Sequence, residues 1–168
     1  MGKNSWSMAY TRQNYISSRP QSRINKFTSG DTHDQYEYAV SLTASTNVEI
    51  HSRALEAARV TANRVLERAL GEQAFLLQIV PYPHQVVREH KFMGFAGADR
   101  LSQGMKLSFG RPTGRAARVS KGQNILTIFI NEDELAAAKK ALERASKKLP
   151  VKYNIDVEKV VDDEGEVK

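Results

Sequence analysis

Residues 125–158 read ILTIFINEDELAAAKKALERASKKLPVKYNIDVE, and they decide the fold. The first six form an uncharged apolar run, the pattern of a strand covered on both faces. Asn131 followed by Glu134 three residues on predicts a capping box at a helix start. Glu132 and Asp133 then sit at the positive end of the helix dipole. Leu135, Ala138, Leu142, Ala145 and Leu149 recur at spacings of three and four, one apolar stripe for a core. Lys147 and Lys148 suit the negative end, and Pro150 stops the helix. Val151, Tyr153, Ile155 and Val157 alternate with Lys152, Asn154, Asp156 and Glu158, the period of a half-buried strand.

Working outward, the same signatures recur upstream. Tyr36, Tyr38, Val40 and Leu42 alternate with Glu37, Ala39 and Ser41, which predicts a strand, and Val48–Ile50 predicts a second. A helix follows over Arg53–Leu70, with Ser52 as N-cap and Gly71 as its C-terminal stop. Leu55, Ala58, Ala62, Val65, Leu66 and Ala69 form its buried stripe. Phe75–Val80 is another apolar run. Pro81 and Pro83 force an extended turn, and Val86-Val87 reads as a short strand. Two helices on one face of a mixed sheet make a two-layer α+β sandwich. We read one domain over 31–160, preceded by an arm over 1–30 and followed by a tail over 161–168.

Charge is distributed unevenly over this plan. The chain has 168 residues and a net charge of +6. Lys3, Arg12, Arg19, Arg23 and Lys26 give the first 30 residues +5 with no acid. From Ile155 onward six acids face Lys159 and Lys168. There is no cysteine, which excludes disulfides and thiolate chemistry and suits a reducing interior. No apolar run is long enough to cross a membrane, and no secretory h-region follows the basic start. We therefore expect a cytoplasmic protein without a membrane partner.

The stretch 91–121, KFMGFAGADRLSQGMKLSFGRPTGRAARVSK, carries Lys91, Arg100, Lys106, Arg111, Arg115, Arg118 and Lys121 against Asp99 alone. Five of the ten glycines fall inside it. A segment so basic and so poor in apolar period reads as a long loop that orders against an anionic polymer. In the arm, Tyr10, Tyr15 and Phe27 are interleaved with Arg12, Arg19, Arg23 and Lys26. Rings stack on bases while cations track phosphates. The alternative is that Tyr15, Ile16, Ile24 and Phe27 anchor the arm on the domain. Arg53, Arg59, Arg64 and Arg68 on the first helix have two readings as well: a solvated face partnered by Glu56 and Glu67, or an RNA face built by Arg53, Arg59 and Arg64.

Catalytic chemistry finds no support. His33, His51, His84 and His90 lack metal-ligand spacing, no Gly-Lys-Ser/Thr follows the glycines, and no nucleophile–base pair stands out. We expect no cofactor, no metal and no enzyme.

Five segments carry a resemblance: YTRQNYI at Tyr10, ALEAARVTANRVLE at Ala54, PYPHQVVRE at Pro81, GADRLSQGM at Gly97 and FGRPTGRAARV at Phe109. Over about residues 8–160 the chain resembles the large-subunit ribosomal protein family called ten-e in archaea and eukaryotes, the counterpart of bacterial protein sixteen, and its archaeal branch most. The resemblance implies an α/β-hammerhead fold and binding to large-subunit ribosomal RNA beside the tRNA cleft. Neighbouring ribosomal proteins would be partners too, at one copy per ribosome. It places the loop Arg100–Gly114, with Ser102, Gln103, Lys106 and Arg111, near the peptidyl transferase centre and the tRNA acceptor ends. It places Tyr10, Thr11 and Arg12 on an RNA-entering arm, Arg59, Asn63 and Arg64 on the helix, and His84 and Arg88 at the loop base. The alternative is an RNA-binding regulatory or processing module acting off the ribosome.

Overall fold

A computed structural model describes residues 16, 18–71, 73–89, 110–150 and 152–160. Its elements are β1 (Thr28–Gly30), β2 (Tyr38–Ala44), β3 (Val48–His51), α1 (Ser52–Leu70), β4 (Leu76–Ile79), β5 (Gln85–Glu89), β6 (Arg111–Val119), β7 (Asn124–Ile130), α2 (Leu135–Ser146) and β8 (Tyr153–Lys159). The class is α+β, as the periodicities imply.

The expected mixed sheet is corrected to two antiparallel ones. Five strands run in the order β1-β4-β7-β2-β8, and three in the order β3-β6-β5. Every pairing is antiparallel. The physical link between the sheets is a two-stranded ribbon that changes sheet. β2 pairs with β7 in one sheet, and their continuations β3 and β6 pair in the other. The register slips between Leu42 and Thr43, a bulge that bends the ribbon. At the crossing, Gly122 N–H donates to Ala44 O at 2.8 Å and Lys121 N–H to Asn47 Oδ1 at 2.8 Å.

The core lies between the helices and the sheets. Val40, Leu42, Ile50, Leu55, Leu66, Leu77, Leu126, Ile128 and Leu142 are fully buried in one cluster. On the other face of β2, Ser41 meets Thr127 at 3.2 Å, and Thr43 Oγ1 donates to Asp156 Oδ2 at 2.7 Å. Buried hydroxyls are thereby satisfied.

Both helix starts differ from expectation. Ser52 lies inside α1, and His51 takes the N-cap with no side-chain cap bond. β3 runs straight into the helix, so ladder pairing of His51 with Ala116 sets that position rather than cap chemistry. Asn131 makes no side-chain cap bond either. The chain enters α2 through a 3₁₀ turn, Glu132–Glu134, whose acids still face the positive dipole end. Gly71 ends α1 as expected, with φ +91° and its N–H donating to Glu67 O at 3.0 Å.

The largest correction concerns 91–121. Its second part is a nine-residue strand, β6, central in the smaller sheet, with Ala116, Ala117 and Val119 buried. Pro112 fits because β3 pairs only as far as Ala116, so at Pro112 the strand has a single neighbour. At the end of the arm, Thr28–Gly30 pairs with β4.

Candidate nucleic-acid interface

Strand β6 organises the cations the structure describes. Its first residue, Arg111, is exposed and stands opposite Glu89, the last residue of β5. Residues 90–110 therefore leave and return through two hydrogen-bonded neighbours in one sheet. Arg88 lies beside this root, half-buried, with its Nε buried and unbonded among the described residues.

Arg115 ties three segments together. Its Nε donates to Pro20 O at 2.6 Å and its Nη1 to the Tyr82 hydroxyl at 3.5 Å. The arm root is thereby fixed against β6 and the β4–β5 connection. Ile16 and Ile24 are buried, Phe27 O accepts from Ile79 N–H at 2.8 Å, and the Phe27 ring stacks on Tyr82 at 5.4 Å and 17°. For Phe27, Ile16 and Ile24 the anchoring alternative is the one the geometry supports. Tyr82 and His84 continue the step, with ring centroids 4.7 Å apart and both side chains exposed. Tyr82 escaped the sequence reading; its signal was an aromatic held between two prolines. Arg19, Arg23 and Lys26 are exposed along the arm root.

On the same sheet Arg118 stands across from Glu49, which is 6% exposed. Burial pushes the Glu49 carboxyl up, and Arg118 pulls it back down. His51 is held below its ordinary value by burial and by Arg53. Lys121 is exposed on the crossing turn.

On α1 the expected cations separate. Arg53 and Arg64 are exposed. Asn63 donates to the Glu67 carboxylate. Arg59 departs from the RNA-facing expectation: it is 9% exposed, with Nε 3.0 Å and Nη2 2.7 Å from the two Glu56 carboxylate oxygens. Its Nη1 donates to Ser29 Oγ at 3.0 Å. The guanidinium is engaged within the chain, linking α1 to β1. Its hydrogen bond holds the Glu56 carboxyl below its ordinary range. A carboxyl depressed in the folded state stabilises above its unfolded pKa and loses that contribution as pH falls through its folded one. Replacing Glu56 by glutamine should flatten the acid limb of a stability–pH profile, read by urea denaturation below neutral pH. An unchanged limb would refute the assignment.

Tyr10, Arg12, Tyr15, Lys91, Arg100, Ser102, Gln103 and Lys106 lie outside the described residues, as does the acidic tail. Among the described residues, no group of three or more His, Asp or Glu side chains could hold a metal ion. No helix there is long and apolar enough to cross a membrane.

The sequence model of ribosomal protein L16p/L10e matches residues 7–156. The chain belongs to that family. It is 46% identical over 151 residues to the large ribosomal subunit protein uL16 of Saccharolobus solfataricus, covering 89% of this chain and 85% of the relative. The uL16 of Sulfolobus acidocaldarius is also 46% identical over 151 residues, covering 89% and 86%. That of Hyperthermus butylicus is 43% identical over 148 residues, covering 88% and 82%. The L16p/L10e chain described above is thus of archaeal type, a structural constituent of the large ribosomal subunit and not an enzyme. All three relatives are named as proteins of the large ribosomal subunit.

Proposed function

We propose that this L16p/L10e member binds large-subunit rRNA beside the tRNA-binding cleft and helps position tRNA, at one copy per ribosome. The observation that carries this reading is the convergence on β6. The insertion 90–110 is rooted at Glu89 and Arg111, and the arm is fixed to the same strand by the 2.6 Å bond from Arg115 to Pro20. Two cationic extensions thus start from one rigid sheet. Arg19, Arg23, Lys26, Arg88, Arg111, Arg115, Arg118 and Lys121 supply phosphate contacts near their roots, with Arg53 and Arg64 on α1. Tyr10, Arg12, Tyr15 and Lys91 extend that surface along the arm and the insertion. Tyr82 and His84 offer exposed rings to an unpaired base. Asn63 assists from α1, while Arg59 acts by holding the helix.

In this reading the fold is the α/β-hammerhead, with an arm over 1–30, a domain over 31–160 and a tail over 161–168. Residues Arg100, Ser102, Gln103, Lys106 and Arg111 serve the tRNA acceptor end. Sedimentation of cell lysate at low and high salt tests the placement: stoichiometric comigration with the large subunit through a moderate salt wash is expected. Recovery only in light fractions would favour an RNA-binding module acting off the ribosome. Reversing Arg100 and Arg111 together to glutamate should impair tRNA accommodation in reconstituted subunits while the domain stays folded. Unimpaired translation by those subunits would sink the positioning role.

A further inference from the structure

Beyond Arg53 at its start, the polar side chains of α1 divide between its two flanks. Glu56, Asn63 and Glu67 lie on the flank of Arg59, where the Arg59 and Asn63 bonds engage both acids. The other flank meets α2 across an open groove of about 570 Å³, lined by Arg64, Arg68, Lys140, Arg144 and Lys148 with no acid. All five are exposed, and none makes a hydrogen bond through its side chain or an ion pair among the described residues. Arg64 and Arg68 are spaced i,i+4 on α1, as are Lys140 and Arg144 on α2, and like charges at that spacing destabilise a helix; Lys148 follows in the turn after α2. Arg68 and Arg144 lie in last turns, where the dipole favours a cation. Arg64 and Lys140 lie inside their helices, where it does not. A surface that holds five cations together against their own repulsion matches an anionic partner.

We propose that this groove is a second RNA seat, taking the phosphate backbone of a base-paired rRNA segment. It shares no residue with the arm, the β4–β5 connection or β6. The remaining lining is Val60, Thr61, Val65 and Ala69, with no aromatic side chain to stack on a splayed base. Single strands are held by such stacking, duplexes by backbone contacts. The same small side chains give an acidic polypeptide no deep apolar pocket in which to anchor. The seat rests on the reading that the chain sits against rRNA in the large subunit, and it adds a second face to that contact.

The test has two arms. In the first, the full chain and a Lys140→Gln, Arg144→Gln, Lys148→Gln variant, which leaves Arg64 in place, bind a mixed-sequence RNA duplex over a range of salt. The variant should bind more weakly, with a salt slope shallower by about 2–3, from roughly 0.9 per lost phosphate contact. Its melting temperature should equal or exceed that of the parent, because repulsion is relieved. Equal affinity and slope would overturn the seat. In the second, Lys140→Cys gives the cysteine-free chain one thiol to carry iron-EDTA in reconstituted subunits. Cleavage at discrete rRNA positions supports the seat. Incorporation without rRNA cleavage overturns it. A chain that fails to enter subunits refutes the ribosomal placement instead, and the duplex measurement still decides the groove.

Discussion

Replacing Gly30 by alanine is expected to destabilise the chain by about 3 kcal/mol and to lower its melting temperature by about 6–12 °C. Gly30 has φ +101°, a region costly for any residue with a Cβ. A Cβ there would lie 1.9 Å from Phe75 O. That oxygen is already held, accepting from Asp31 N–H at 3.0 Å. Neither partner can yield easily, because both are backbone: Gly30 is paired with Leu76 in the β1–β4 ladder, and Phe75 directly precedes β4. Gly71→Ala is the control: φ is +91° and ψ 177°, a conformation nearly confined to glycine, but no atom lies within 4 Å of the added carbon, so only the strain, a loss of about 1–2 kcal/mol, is expected. Thermal denaturation of both variants separates crowding from strain. Equal losses would show that the close approach at Gly30 contributes nothing.

The second large effect is expected at Arg59. Arg59→Ala removes two bonds to Glu56 and one to Ser29, and leaves a carboxylate 15% exposed without its cation. Breaking such a sheltered pair should cost about 2–3 kcal/mol. Arg59→Lys should recover little, since an ammonium cannot form the two-point fork. Adding Glu56→Gln to Arg59→Ala removes the stranded charge and should restore part of the loss. A double-mutant cycle by urea denaturation measures this, with a coupling of about 1 kcal/mol or more expected. Additive losses would mean that the pair contributes no coupling and that Arg59 acts through packing alone.

Much of the fold was legible because its elements follow clean periods. The runs around Ile125–Ile130, the stripe Leu135–Leu149 and the alternation ending at Val157 all correspond to elements in the structure. β6 was hidden for a physical reason: its inward side chains are alanines and a valine, while Arg111, Arg115, Arg118, Pro112 and Gly114 mask the alternation. The division into two sheets was out of reach, because it depends on a bulge opposite Leu42 and on hydrogen bonds across the 44–47 and 120–123 turns. At the interface, cation identity was readable but cation use was not. The spacing of Glu56 and Arg59 admitted a helical pair, yet Ser29 comes from a distant strand. Lys140, Arg144 and Lys148 stand four apart in plain sight, and only helix packing sets them beside Arg64 and Arg68.

The pairing of Glu89 with Arg111 has a consequence for how this chain can change over evolutionary time. With those residues opposed in the ladder, the sheet holds the ends of residues 90–110 together whatever their conformation. Closing a loop costs an entropy that grows only logarithmically with its length, about 0.6 kcal/mol for each doubling. Insertions, deletions and substitutions between those anchors thus leave the domain's stability almost untouched. Selection can reshape the sequence between the anchors at nearly constant folding free energy, while the two strands that carry it stay under the constraints of a packed sheet.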